Sequence, residues 1–252
     1  MRRNKVETLK VLTFNLRIPE ADGINAWKYR KSHIIDKIKK ENPMIISFQE
    51  VMPDSLNDLK QGLLEYVFVG CPREADYSGE AVMIAYQKDY VDLLQLDVFW
   101  LSHSPEHPGS KYSEEMTLPR TCLMGEFRMA SGKFIRIVNT HLDHLHSSLR
   151  VLGMETILKQ IKHRQQIKPL PTLLMGDFNA TPSEQEIQMV EQLVDVTAHI
   201  PMSFHEFKNK KLKIDYIFKT PELMVNNVIA WDDCYEGVYL SDHYPISCEV
   251  FL

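Results

Sequence analysis

Pro171-Thr172-Leu173-Leu174-Met175-Gly176-Asp177-Phe178-Asn179-Ala180-Thr181-Pro182 is the stretch from which the rest of the chain is read. Thr172 to Met175 is a short apolar run between a proline and a glycine, the pattern of a buried strand, and it ends by delivering Asp177 and Asn179. Those two polar side chains, one residue apart, share a face. Gly, Asp and Asn also favour turns, so the stretch alone reads as a turn as well. Other strand ends that finish in carboxylates, amides or histidines move the reading towards a site.

Outward from this strand the pattern alternates between helix and strand. Leu9 to Leu16 is an apolar strand carrying Asn15, and Met44 to Phe48 is another that runs directly into Gln49 and Glu50. Between them Trp27, Ile34, Ile35 and Ile38 recur at helical spacing, which predicts a helix from Trp27 to Glu41. A second helix starts near Pro53 with Leu56, Leu59 and Leu63 on one face and Asp54 in its first turn. Strands are then expected at Tyr66 to Val69, Glu80 to Tyr86, Val91 to Leu101, Arg120 to Met129 and Phe134 to His141, with a Ser131-Gly132 hairpin turn. Val151, Met154, Leu158 and Ile161 mark the apolar face of a helix over roughly Ser147 to Gln166. A short helix after Pro182 and strands at Lys213 to Lys219, Leu223 to Trp231 and Pro245 to Leu252 complete the chain.

Many strands and few helices, with no internal repeat and no composition break resembling a linker, point to one domain over residues 1–252. The expected fold is α+β, a four-layer αββα sandwich of two stacked mixed sheets flanked by helices. With 44% apolar residues the chain can bury a substantial core, and its net charge of −5 disfavours long duplex nucleic acid as a general partner. Cys71, Cys122, Cys234 and Cys248 have no paired spacing and read as reduced core or near-core thiols. Met1 to Glu7 shows no signal peptide, and no run is long enough to span a bilayer, so a cytoplasmic location is expected.

The polar strand ends are Asn15, Glu50, the run His141-Leu142-Asp143-His144, the pair Asp177 and Asn179, Asp215, and the run Ser241-Asp242-His243. Each alone has a structural explanation as a cap or a satisfied core group. Six on separate strands ask for a common one, because polar groups buried together are costly unless paired or metal-bound. Thr13-Phe14-Asn15, Gln49-Glu50, Asn139-Thr140-His141-Leu142, Gly176-Asp177-Phe178-Asn179, Ile214-Asp215-Tyr216-Ile217 and Ser241-Asp242-His243 resemble, in this order, the endonuclease/exonuclease/phosphatase family of metal-dependent phosphoesterases. The resemblance runs from about Leu9 to Leu252. Phe99-Trp100-Leu101-Ser102 and Leu118-Pro119-Arg120 resemble a bacterial branch nearest the carbon-catabolite-repressor/nocturnin deadenylases.

Hydrolysis of a phosphate ester brings negative charge onto an anionic centre, so a cation and a positioned base are needed. Glu50, with Asn15 and Asp242, suits Mg²⁺ or Mn²⁺, a hard ion that takes oxygen ligands and keeps several waters. The resemblance implies that Asp177 orients or deprotonates the attacking water while Asn179 fixes water or phosphate. It also implies that Asp215 holds His243 for the phosphoryl oxygen, that Glu80 pairs with His141, and that Arg120 contacts a phosphate oxygen. For Glu80 and Arg120 a structural ion pair or a solvated face is the alternative. The His141 to His146 run lacks the order of a di-metal hydrolase cluster, and Lys208, Lys210, Lys211 and Lys213 read as a solvated loop.

The expected activity is hydrolysis of a phosphodiester in RNA, a nucleotide or a related ester by in-line attack of an Asp-activated water, a 3'-5' exoribonuclease-like reaction included, with single-stranded RNA or a nucleotide as partner. A monoesterase acting on a small metabolite or sugar phosphate is the second reading, and a non-catalytic binding protein of the same fold the third. Trp27, Trp100, His103, His107, Tyr112, His144 and Phe204 are the rim residues expected to form either a base-stacking platform or a closed pocket.

Overall fold

A computed structural model describes residues 8–114, 116 and 118–252. The Met1 to Glu7 segment, and Glu115 and Thr117 of the 102–119 loop, lie outside the described residues. The first half of the chain runs β1 (Thr8–Asn15), α1 (Trp27–Glu41), β2 (Ile45–Val51), α2 (Pro53–Gly62), β3 (Tyr66–Pro72), β4 (Ala81–Gln87), β5 (Val91–Trp100) and β6 (Thr121–Met129). It continues with β7 (Phe134–His141), α3 (Ser147–Ile167), β8 (Thr172–Asp177), α4 (Gln185–Gln188), β9 (Val194–Asp195) and β10 (Asp215–Lys219). The last elements are β11 (Met224–Ala230), β12 (Cys234–Tyr235), β13 (Val238–Tyr239) and β14 (Ile246–Phe251).

Two six-stranded sheets form, in the orders β11-β14-β1-β2-β4-β3 and β5-β6-β7-β8-β10-β9. Both are mixed, because β1 with β2 and β7 with β8 are parallel while the other ladders are antiparallel. The β12-β13 hairpin and β9 have no counterpart in the sequence reading. Each strand in them is two residues long, too short to show a period.

The period-two alternation of each strand assigns its faces. Leu9, Val11, Ile45, Ile135, Ile137, Leu173, Met175 and Ile217 meet in the core between the sheets. Leu12, Phe14, Ile46 and Phe48 point the other way, under α1 and α2 through Trp27, Ile34, Ile38, Leu59 and Leu63. Val138, Leu174 and Phe218 face Met154, Ile157 and Ile161 of α3. Four layers result, as the composition of strands and helices predicts.

Two expectations are corrected. The buried stripe of α3 is Leu149, Gly153, Met154, Ile157 and Ile161, and Val151 and Leu158 are only half-buried. Gly153 sets this rotation by letting the helix close on Leu101 and Leu142, where an added Cβ would sit at 3.3 Å from each. Cys234 is exposed and Cys71 half-buried, so only Cys122 and Cys248 are core thiols.

Candidate active site

Continuing each inward stripe to the strand end reaches a polar residue. Leu9 and Val11 lead to Asn15, Ile135 and Ile137 to Asn139 and His141, Leu173 and Met175 to Asp177, and Ile217 back to Asp215. These side chains therefore project from the end of the intersheet core. Asn139 ties the sheets beneath them, donating to the carbonyls of Phe48 and Met83 at 2.9 and 2.8 Å and accepting from Gln49 at 2.8 Å.

Glu50 has the wrong parity. Ile46 and Phe48 place that series under α1, yet Glu50 reaches the cleft because the β2-β4 register breaks between Phe48 and Val51 and Glu50 adopts φ +57°. An irregularity of this kind re-aims a side chain, and a left-handed glutamate is a strained conformation met mostly at functional sites. Gly176 serves the neighbouring pair: at φ +146° a Cβ there would lie 2.0 Å from the Thr140 carbonyl oxygen, so only glycine lets β7 and β8 bring His141 beside Asp177.

Two histidine–carboxylate pairs converge on Asp177. His141 Nδ1 lies 3.0 Å from Glu80 Oε1 and its Nε2 3.5 Å from Asp177 Oδ2. His243 Nδ1 lies 2.8 Å from Asp215 Oδ2 and its Nε2 3.8 Å from Asp177 Oδ2. Asn15 Nδ2 donates both to Asp177, at 2.9 Å, and to Glu50 Oε1, at 3.0 Å. The Asn179 backbone N–H donates to Asp177 Oδ1, while its side-chain amide donates to the Leu142 carbonyl.

Burial opposes a charge on His243, but Asp215 first and Asp177 next outweigh it and push its pKa up to about 10. At neutral pH His243 is thus an imidazolium, a proton donor facing the cleft. Glu80 is buried, which would raise its pKa; His141, Arg73 and Arg120 reverse this and hold it near about 2. Burial raises the pKa of Asp242, and the charge of Glu50 adds to that effect.

Among the described residues, ligand atoms of Glu50, His141 and Asp177 lie within 4.8 Å of one another, as do those of Asp177, Asp215 and His243. Within the first group Glu50 is the member that suits a cation, since it is half-buried, lines the cleft and stands near the raised-pKa carboxyl of Asp242. Asn15 is 1% exposed and does not line the cleft; its amide nitrogen orients Glu50, and its oxygen accepts from the Arg17 backbone. Asp143 caps the turn before α3, accepting from the backbones of Leu145 and His146, so the His141 to His146 run forms no cluster of its own.

The rim differs from expectation. Of the seven residues named for it, only His144 and Phe204 line the cleft. Trp27 is buried and donates to Asp58, Trp100 donates to the Arg73 carbonyl, and His103 packs edge-on against Tyr112. Lys213 is buried against Asp195 at 2.7 Å, and Lys210 lines the cleft paired with Glu206, so the lysine run is not a uniformly solvated loop.

Two arginines were not singled out by the sequence. Arg73 lines the cleft. Arg30, fully buried, donates from Nη1 to the carbonyls of Leu16 and Leu240 at 2.7 and 2.9 Å, locking the end of β1 to the segment that carries Asp242. In sequence it is one cation among several on α1.

His205, just outside this cluster, is 1% exposed and stacks on Tyr244. Burial, then the charge of His243, pulls its pKa from 6.5 to about 4. Above about 6.5 the ring is neutral whether the chain is folded or not; between 6.5 and 4 only the unfolded chain takes up the proton. Stability should therefore fall through this window and level off below it. His205→Phe is expected to remove roughly 1–3 kcal/mol of the loss between about pH 7.5 and about pH 4.5, read from urea unfolding midpoints. An unchanged pH dependence in the variant would contradict this.

A family model described as the endonuclease/exonuclease/phosphatase family matches residues 12–243. An endonuclease/exonuclease/phosphatase from Bacteroides vulgatus superposes with a TM-score of 0.87 at 30% identity, covering 97% of this chain and 99% of that one. A mannosyl-6-phosphatase from Bacteroides thetaiotaomicron superposes with a TM-score of 0.87 at 26% identity, covering 97% and 100%. A probable RNA exonuclease, NGL3 of Saccharomyces cerevisiae, is 24% identical over 199 residues, 70% of this chain but only 38% of the yeast protein. With residues 12–243 matched and the fold shared over 97% of its length, the chain belongs to the endonuclease/exonuclease/phosphatase family, whose members are metal-dependent hydrolases of phosphate esters.

Proposed function

We propose that this enzyme is a Mg²⁺-dependent phosphatase that hydrolyses a small phosphate monoester, such as a sugar phosphate, by direct in-line attack of water. The observation that carries this reading is the cleft. Its volume is about 670 Å³, within the roughly 300–1,000 Å³ typical of small-molecule sites. Of the aromatic residues expected at the rim only His144 and Phe204 line it, and two of its cations, Arg17 and Lys210, are paired with Asp22 and Glu206. A polyanion tracking over the surface would need cations to spare. Similarity to a mannosyl-6-phosphatase over nearly the whole length supports the same substrate class.

In this reading Glu50 and Asp242 hold the metal, with Asn15 fixing Glu50; the ion would supply charge for the developing phosphoryl oxygens. Asp177, held by Asn15 and the Asn179 backbone, orients the attacking water and accepts its proton as the water oxygen bonds to phosphorus; the ester P–O bond opposite it breaks, and the alcohol leaves with a proton taken from solvent water. His243, kept protonated by Asp215, donates to a phosphoryl oxygen. His141, held by Glu80, does so from the other side, and Arg120 and Asn179 bind the remaining oxygens.

A second reading is cleavage of a phosphodiester in a nucleotide or single-stranded RNA. Phe204, its ring 4.7 Å from that of His243, and Phe207 both line the cleft and offer faces to a base. The probable RNA exonuclease among the relatives points the same way. Turnover of mannose 6-phosphate, glucose 6-phosphate, p-nitrophenyl phosphate, its bis ester and oligoadenylate with Mg²⁺ separates the two. Release of phosphate from the monoesters at the highest kcat/KM is expected. Cleavage of oligoadenylate or the bis ester with monoesters untouched would replace the first reading by the second.

A further inference from the structure

Arg73 follows β3 at the start of the turn that brings Glu80 to the cleft. Its backbone is fixed on both sides, donating to the Glu80 carbonyl at 3.0 Å and accepting from the Trp100 indole at 2.6 Å. Its side chain is buried, lines the cleft and forms an ion pair from Nη1 to Glu80 Oε2 at 2.8 Å. Arg120, 3% exposed, approaches the other oxygen of Glu80 from Nη1 at 3.7 Å and meets His144 Nδ1 from Nη2 at 3.0 Å.

One carboxylate thus serves two guanidinium groups and the His141 imidazole together. Among the described residues the other acid paired with Arg73 is Glu74, 3.6 Å from Nε and about one-third exposed, where water weakens its effect. Arg120 Nε is buried with no hydrogen-bond partner at all. A buried cation pair sharing one buried carboxylate is a costly arrangement unless an anion completes it. Glu50, Asp242 and Asp22 also line the cleft and are only partly offset by Arg17, so without a metal an anion entering the cleft is favoured at Arg73 and Arg120.

A phosphate monoester carries close to two negative charges at neutral pH, and a diester carries one. We infer that Arg73, with Arg120, forms an anion pole that takes the second negative charge of a phosphate monoester, making Arg73 the residue that sets preference for monoesters over diesters. The substrate class named here rests on the reading of the cleft as a monoesterase site; the anion pole does not.

The test combines two readouts on wild type, Arg73→Met and Arg73→Lys. The first is calorimetric binding of inorganic phosphate to the full chain in EDTA, which needs no turnover. The second is kcat/KM with Mg²⁺ for p-nitrophenyl phosphate against its bis ester. Arg73→Met is expected to weaken phosphate binding by about tenfold or more, and to lower the monoester-to-diester ratio by a similar factor, mainly through KM; Arg73→Lys should retain part of both. Phosphate binding unchanged in Arg73→Met, or absent from the wild type, would overturn the inference, as would an equal loss on both esters with binding intact. Weakened phosphate binding in a protein whose wild type cleaves only diesters would support the anion pole and defeat the monoesterase reading. If Arg73→Met does not fold, as judged by circular dichroism, Arg73→Gln takes its place with the same outcomes.

Discussion

Asp177→Asn is expected to lower kcat by roughly two to four orders of magnitude while leaving the chain folded, the range associated with loss of a positioned base. Asp177 stands where the two histidine–carboxylate pairs and Asn15 meet. Among the described residues it is the carboxylate that the Nε2 atoms of both His141 and His243 approach, at 3.5 and 3.8 Å. The substitution also carries a structural cost. Oδ1 accepts from the Asn179 backbone and Oδ2 from Asn15, so an amide must turn its NH₂ towards one of these donors. A loss of about 1–3 kcal/mol in stability should therefore accompany the loss of rate. Rate and melting temperature measured on the same preparation check both, and a variant turning over near the wild-type rate removes Asp177 from the mechanism.

Glu50→Ala is expected to abolish Mg²⁺-dependent turnover and the metal's effect on stability together. The residue accepts from Asn15 and from the Ile18 backbone, is held at φ +57°, and shares the acidic wall with Asp242. Divalent ions that bind the folded chain raise its melting temperature by mass action. Mg²⁺ or Mn²⁺ should thus raise that of the wild type and leave Glu50→Ala unmoved. In EDTA, relief of repulsion from Asp242 should offset part of the loss of the hydrogen bonds from Asn15 and Ile18, so the variant should stay folded with a melting temperature close to that of the wild type. A rise on Mn²⁺ addition in Glu50→Ala equal to that of the wild type would place the metal elsewhere.

The layers of the fold were legible because strands and helices here follow their periods closely. Leu9, Val11 and Asn15, or Leu173, Met175 and Asp177, are each one stripe, and the polar end of the stripe is visible in the sequence. Glu50 was legible only through the family pattern, since its parity points away from the site and the register break that corrects it leaves no mark in the sequence. Arg30 and Arg73 were not legible. Their roles depend on what backbone passes over them, the carbonyls of Leu16 and Leu240 in one case and the turn to Glu80 in the other. The rim was misread for a similar reason. Trp27 and Trp100 have the right chemistry for a platform, but Asp58 and the Arg73 carbonyl already hold their indole N–H groups behind the cleft.

Hydrolysis of the preferred ester in ¹⁸O-labelled water, with the released products weighed by mass spectrometry, tests the central claim most directly. Attack of a water held by Asp177 on phosphorus places one labelled oxygen in the phosphate and none in the alcohol. Label appearing in the alcohol instead would mean that the carbon–oxygen bond breaks, and the arrangement of Asp177, His141 and His243 around a phosphoryl group would not describe the reaction.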